Sequence, residues 1–440
     1  MRFLLRRLAF YIAAFMVAAT LNFFIPRLMP GDPATMLFMS LQGRMKQDQL
    51  AALKRSLGFD GSLWDQFIAY LGKLIRLDFG ISTINFPEPT ASLLFYAAGW
   101  TLVDSADPDP VDIVVVNTGL RVAVPRLDGI DSVPYLTSTS ILELTELPEH
   151  LIVLGGGYVG LEFAQAFRRF GSRVTVVQRS AQLLPREDAD VAEAVTNILR
   201  DEGIDVVLSA DVIRVERADD GVRLVWKQPS DDAIEHDVRS SHLLVATGRM
   251  PNTDDLGLDA AGVDMDARGY VRVHERLETS APGVYAIGDV TGGPAFTHIS
   301  YDDFRVLRTN LLEGGSATTV GRLVPYTVFI DPQLGGVGMT EREARATGRR
   351  VRVAKLPMTS VARAIEVDET RGFMKAVVDA DTNQILGATV LGMEGGEIAT
   401  LFQIAMMGKL PYTALRDAVF SHPTLGEALN NLFMAMDRAG

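Results

Sequence analysis

Apolar residues fill positions 8–25, interrupted only by Thr20 and Asn22, and Arg2, Arg6 and Arg7 stand ahead of them. A run of about 18 such residues is long enough to cross a hydrocarbon core. It lacks the polar face that a helix packed on a globular core keeps. The pattern favours a membrane helix, with a buried core helix as the alternative. A cleaved signal peptide fits less well, because no small-residue cleavage site precedes Pro26. The arginines orient residue 1 towards the cytoplasm and Pro30 to the outside. A second apolar run, from Ala91, stops near Val103. About 13 helical residues reach only ~20 Å against a core of ~30 Å, so the second crossing is unfinished.

After "DSADPDP" at 104–110, a polar seam rich in turn formers, short β-branched runs alternate with amphipathic helices. That alternation predicts an α/β fold and a domain boundary at 103–111. "HLIVLGGGYVGLEFAQAF" reads as a buried strand, a glycine turn, and a helix with Val159, Phe163 and Phe167 on its apolar side. A second strand follows at 172–180, then a helix at 188–203, a β-meander through 204–238, and a closing strand at 242–246. "LLVATGRMPNTDDLGL" (243–258) and "LETSAPGVYAIGDV" (277–290) each place a buried strand before a glycine turn, the first at Gly248.

The spacing Gly155-x-Gly157-x-x-Gly160 between strand and helix points to a dinucleotide site. Two glycines allow the tight turn and the approach of a pyrophosphate to backbone N–H groups; the third lets the helix pack on the strand. An ordinary glycine-rich turn is the alternative. The second strand ends in Gln178-Arg179, where an acid would hold the ribose hydroxyls of NAD. Arg179 could pair with a 2′-phosphate instead, which favours NADP(H) over NAD(H); a solvated arginine is the bland alternative. Asp289, just past a buried strand, could accept from a sugar or ribityl hydroxyl.

Composition narrows the field. A net charge of −13 gives no basic surface for nucleic acid. The absence of cysteine excludes disulfides, thiolate nucleophiles and Cys-ligated metals, and the six histidines form no HxxxH or HxH pair, so no metal site is expected.

Together these motifs resemble the FAD-dependent pyridine nucleotide-disulfide oxidoreductases over residues 112–440, in their mercuric-reductase-like branch. The resemblance implies that Gly155, Gly157 and Gly160 hold the nicotinamide dinucleotide, and that Tyr158 gates the nicotinamide pocket over the flavin. It implies that Glu162 pairs with a flavin-side lysine, and that Asp289 contacts the FAD ribityl chain beside the turn at Gly248. "VVVNTG" (114–119) matches the first pass out of the FAD domain, and "FTHISYDDFR" (296–305) the helix facing the flavin pyrimidine. "VPYTVFIDPQLGGVGMTEREA" (324–344) and "FSHPTLGEALNNLF" (420–433) resemble the interface domain that makes these enzymes homodimers. His422 and Glu427 there match the catalytic base and its orienting acid, which serve the partner's flavin and thiols. Without the resemblance, His422 reads as a helix cap, since Pro423 stands where a helix would start.

Residues 1–102 resemble the start of the permease subunits of peptide and nickel ABC importers. The matching pieces are "RFLLRRL" (2–8), "PRLMPGDPA" (26–34), "LKRSLGFDGSLWDQFIAYLGKLIRLDFGIS" (53–82) and "FPEPTASLLFYAAGWTL" (86–102). The remaining membrane helices of such a subunit are not in the sequence, so transport is not expected. The reductase resemblance is also incomplete: the family's first GxGxxG, its CxxxxC pair and the lysine that Glu162 would meet do not occur.

The sequence therefore predicts an anchor helix (1–30), a permease-like loop with a truncated second membrane segment (31–103), and a partial FAD-binding domain (104–149 and 247–323). A Rossmann-like NAD(P)-binding domain (150–246) and an α+β interface domain (324–440) complete it. The expected activity is NAD(P)H oxidation through FAD with no thiol half-reaction. The alternative is a non-catalytic join of two gene pieces, a membrane-tethered nucleotide-binding module. The expected location is the bacterial cytoplasmic membrane, although the family is cytoplasmic. A single crossing with the N-terminus inside would place 111–440 outside the cytoplasm.

Overall fold

The computed structural model describes residues 113–438 except 220, together with Trp64, Phe67, Ile68 and Tyr70, which are helical. The chain divides into two units, Met1–Val111 and Asp112–Gly440. The expected membrane helix at 8–25 and the truncated second segment lie outside the described residues. Among the described residues no helix is long and apolar enough to cross a membrane.

Two short strands, β1 (Val114–Val116) and β2 (Leu120–Val122), lead in. The nucleotide-binding lobe follows with β3 (His150–Leu154), α1 (Tyr158–Phe170), β4 (Arg173–Val177), α2 (Ala189–Asp201) and β5 (Asp205–Val207). Strands β6 (Asp211–Ala218), β7 (Gly221–Gln228) and β8 (Asp231–Ser240) form an antiparallel sheet, and β9 (His242–Val245) returns to the first one. The four parallel strands lie in the order β5-β4-β3-β9.

Every residue of β3 is buried, as expected for a parallel strand covered on both faces. Leu151 and Val153 face Leu161, Val191 and Leu199 of α1 and α2. Ile152 and Leu154 belong to the opposite core, with Leu224 and Trp226 of β7. The 3.6-residue pattern of α1 buries Leu161 and Ala164, and the helix ends where Gly171 takes a φ of +114°, a conformation glycine reaches without strain.

The next lobe is small. Strand β10 (Arg249–Pro251) pairs antiparallel with β2, and β11 (Val284–Ala286) pairs parallel with β1. A 3-10 turn at Gly288–Thr291 and α3 (Thr297–Leu312) follow. Its apolar content is two small clusters, one around Val116, Val271 and Ala286 and one around Leu277, Ile287 and Leu307.

The C-terminal lobe is a five-stranded antiparallel sheet. Its elements are β12 (Tyr326–Val328), β13 (Leu334–Gly338), α4 (Glu341–Ala346), β14 (Val351–Pro357), α5 (Ala362–Glu366), β15 (Phe373–Asp379) and β16 (Ile385–Leu391). The sheet order is β12-β13-β16-β15-β14. Helices α6 (Gly395–Met407), α7 (Tyr412–Arg416) and α8 (Ala428–Arg438) close it over a core containing Met374, Phe402, Leu429 and Phe433.

Candidate functional site

The glycine turn joins β3 to α1, and its three glycines have different surroundings. Gly155 sits at φ +112°, and a Cβ there would lie 2.4 Å from the Ala246 carbonyl oxygen. A Cβ on Gly160 would lie 2.3 Å from the Gly155 carbonyl oxygen, so this glycine lets the helix close on the turn. Around the Cβ position of Gly157 there is open space. Gly157 caps α1 without any side-chain hydrogen bond, so the first N–H groups of the helix stay available to an anion.

Gly156 N–H donates to Oε1 of buried Gln178 at 3.0 Å, which fastens the turn to the end of β4. Arg179, the next residue, is exposed, and no acceptor or carboxylate meets it among the described residues.

Tyr158 opens α1 and lies against two further rings. It stacks on Tyr326 of β12 at 5.9 Å between centroids and on Phe296, ahead of α3, at 6.4 Å. Phe296 also stacks on Tyr326, at 6.4 Å, and on His298, at 5.3 Å; His298 Nε2 lies 2.8 Å from the Pro325 carbonyl oxygen. Both tyrosine hydroxyls donate to one carboxylate, Glu187, which is 2 % exposed: Tyr326 at 2.8 Å and Tyr158 at 3.4 Å. Burial pushes the Glu187 carboxyl above its ordinary range. Burial and the Glu187 carboxylate push both phenols up as well.

Glu162, one turn along α1 from Tyr158, has no lysine partner among the described residues. Its Oε1 accepts from the backbone N–H of Phe329 at 2.7 Å, and burial raises its carboxyl above the usual range. In place of the family's lysine, which the sequence lacks, the carboxylate takes a backbone hydrogen bond from the segment after β12.

Asp289 lies in the 3-10 turn after β11, half-buried, with no hydrogen-bond donor on its carboxylate among the described residues. Burial raises its carboxyl, opposed by the charge of Arg249. The turn is held by Asp303 of α3, 1 % exposed, which accepts from Gly288 N–H at 2.8 Å and pairs with Arg322. Gly248 has a φ of +131° and open space around its Cβ position.

These groups fit one end of a flavin, but among the described residues there is no cradle for its pyrophosphate, and β1 pairs only with β11. The sequence holds no second Gly-x-Gly-x-x-Gly. The described residues do not make a complete FAD site.

His422 and Glu427 are brought together, His422 Nδ1 lying 2.8 Å from Glu427 Oε2 and 3.0 Å from Oε1. The histidine is 69 % exposed on its side chain. The alternative of a helix cap is corrected here: α8 begins at Ala428, after a turn in which Thr424 Oγ1 accepts from Glu427 N–H. No hydrogen bond joins this pair to the glycine turn within the described residues.

Sequence reasoning missed Glu187, Tyr326, Phe296 and Asp303. Glu187 stands in the polar run "PREDAD", where a carboxylate reads as solvated, and nothing local marks it as buried.

The fold is that of an α/β flavoprotein reductase with a Rossmann-like lobe and a C-terminal dimerisation lobe. The chain belongs to the pyridine nucleotide-disulphide oxidoreductase family, which it matches over residues 77–303, with that family's dimerisation domain over 324–433. Residues 1–93 match the N-terminal family of binding-protein-dependent transport system membrane components.

Among its relatives is the probable pyridine nucleotide-disulfide oxidoreductase RclA of Escherichia coli (strain K12), 42% identical over 322 residues, covering 73% of this chain and 71% of the relative. A mercuric reductase of Streptomyces lividans is 38% identical over 315 residues, 72% of this chain and 66% of the relative. The solved structure of the HOCl-induced flavoprotein disulfide reductase RclA from Escherichia coli superposes with a TM-score of 0.68, at 42% identity, covering 73% of each chain.

Proposed function

We propose that residues 112–440 bind NAD(P)H as the nicotinamide half of a flavin-dependent oxidoreductase, and that within this chain no thiol half-reaction follows. Hydride transfer to FAD is the activity that family membership suggests; the nicotinamide side is the part of the site that these residues complete. The observation carrying the proposal is the contrast within the glycine turn. Gly155 and Gly160 are packed against backbone, while Gly157 faces open space at an uncapped helix N-terminus. A pyrophosphate can approach the backbone there. Disulfide or metal-ion reduction needs a thiolate beside the flavin, and the chain has no cysteine.

Gly155, Gly157, Gly160 and Arg179 would hold the dinucleotide, with NADPH preferred through Arg179. Tyr158 and Glu162 would line the nicotinamide end, and Asp289 and Gly248 the flavin end. His422 with Glu427 would face a partner subunit in a homodimer built by the C-terminal lobe. Calorimetric titration of the detergent-purified chain with NADPH and with NADH tests this. Saturable binding with NADPH the tighter ligand is expected, and NADH binding more than tenfold tighter would remove the role given to Arg179.

A second reading is a non-catalytic, membrane-tethered nucleotide-binding module, formed by joining a permease start to a reductase fragment. It is favoured by the transport and reductase family matches meeting within residues 77–93. In that case the anchor at 8–25 would be its only use of the membrane.

A further inference from the structure

Glu187 is buried between two phenols that belong to different lobes, Tyr158 of the nucleotide lobe and Tyr326 of the C-terminal lobe. The two hydrogen bonds are unequal. At 2.8 Å the Tyr326 bond has ordinary hydroxyl–carboxylate length; at 3.4 Å the Tyr158 bond is stretched and weak.

The carboxylate itself is fixed. Its neighbour Asp188 accepts from Glu341 N–H at 2.9 Å and Arg342 N–H at 3.0 Å, and pairs with buried Lys375 at 3.0 Å. These bonds pin the segment to α4 and β15 of the C-terminal lobe. Tyr326 lies on a paired strand, and its ring is stacked on both sides of the junction, on Tyr158 and Phe296. Tyr158 is therefore the one member of the trio held loosely. It follows Gly157 directly, so a dinucleotide crossing the open side of Gly157 passes its ring next.

We propose that Glu187 is a positioning residue that latches the Tyr158 ring across the nicotinamide end of the nucleotide site, and that nicotinamide entry breaks the Tyr158–Glu187 bond while the Glu187–Tyr326 bond stays. This rests on the nucleotide-site assignment above. The ring swings out at the cost of one weak hydrogen bond and the Phe296 and Tyr326 stacking contacts. Glu187 keeps its short partner throughout, so opening leaves no buried carboxylate without a donor. The latch acts on the nicotinamide half only, because the adenosine half lies on the other side of the glycine turn, towards Arg179.

Two ligands separate the possibilities: NADPH, and 2′-phospho-ADP-ribose, which lacks the nicotinamide. Dissociation constants for both are measured on the full chain and on its Tyr158→Phe, Glu187→Gln and double variants, with thermal melts as a folding check. The latch predicts that Tyr158→Phe tightens NADPH by about 2–10-fold, the range one lost hydrogen bond allows, and that Glu187→Gln, which keeps an acceptor oxygen but loses the charge, tightens it by less. The double variant should gain no more than Tyr158→Phe alone, because Glu187→Gln only weakens the bond that Tyr158→Phe removes, and 2′-phospho-ADP-ribose should bind all four proteins equally. Unchanged NADPH affinity in Tyr158→Phe, additive gains, or equal shifts in both ligands would overturn the latch while leaving the nucleotide site standing. Failure of the unaltered chain to bind either NADPH or NADH would overturn the site and the latch together.

Discussion

The backbone N–H of Gly156 donates to the side-chain oxygen of Gln178 at 3.0 Å, inside the protein. The residue at the end of β4, where an acid would meet the ribose of NAD, is thereby turned inward onto the glycine turn. On the proposed assignment, selection between the two nicotinamide cofactors would fall to Arg179, which is exposed and has no competing carboxylate among the described residues. Replacing Arg179 by Ala is expected to weaken NADPH binding roughly tenfold, about 1.4 kcal/mol for a lost charge-assisted contact, and to leave NADH affinity within twofold. Parallel titrations with the two nucleotides check it.

The glycines of the turn predict opposite outcomes for the same substitution. Gly155→Ala forces an L-residue to φ +112° and drives a Cβ to 2.4 Å from the Ala246 carbonyl oxygen, so the chain should lose at least about 1–3 kcal/mol of stability. Gly157→Ala meets no atom within 4 Å. It should melt like the unaltered protein and yet bind NADPH at least about tenfold more weakly, because its methyl group stands where the pyrophosphate approaches. Thermal melts and nucleotide titrations of the two variants separate folding from binding.

Lys375, 3 % exposed, holds Asp188 and Asp190 at 3.0 Å and Glu341 at 2.8 Å, tying α2 and α4 to β15. Lys375→Met leaves three carboxylates facing an apolar side chain and should cost about 3–5 kcal/mol, visible as a lowered melting temperature. Burial works to raise the Asp190 and Glu341 carboxyls, but their lysine and arginine partners outweigh it, so both titrate below the ordinary range. A carboxyl depressed in the folded state stabilises above its unfolded pKa, about 4, and that stabilisation is lost as pH falls through the lower folded value. Melting temperature should therefore drop as pH falls below about 4, and the drop should be shallower in Lys375→Met.

The C-terminal lobe exposes Val419 completely and Met407 and Ile404 by more than half. Its match to the family's dimerisation domain makes this the expected homodimer contact. Light scattering after size exclusion should give twice the chain mass for the unaltered protein, and a Val419→Asp, Met407→Asp variant should run as a monomer with its melting temperature little changed.

The nucleotide lobe was the part most legible in the sequence. A continuous apolar strand, three spaced glycines and an amphipathic helix act locally, and β3, the turn and α1 form where that pattern places them. His422 and Glu427 were paired only through the family resemblance, and a turn brings them together. Glu187 was not legible, because its burial comes from Tyr326, 139 residues away, and no local pattern encodes such a contact. The partner of Glu162 escaped for the same reason: the N–H of Phe329, 167 residues on, takes the place of a lysine. The flavin lobe was hard to judge because its apolar runs are short. "VVVNTG" and "VYAIGD" look like strands of a larger sheet, yet among the described residues β1 pairs only with β11, and β11 adds only an isolated bridge between Tyr285 and Glu278.

The most direct test of the account is the visible absorption spectrum of the detergent-purified chain, incubated with FAD, gel-filtered, and then titrated anaerobically with NADPH. The account predicts that no flavin band is retained while NADPH still binds, because the nicotinamide turn is complete and the FAD pyrophosphate turn is not in this chain. Failure of NADPH to bind would contradict it, whereas a retained flavin band that bleaches on NADPH would extend the proposed function to hydride transfer and make the chain a cysteine-free NAD(P)H oxidase or diaphorase.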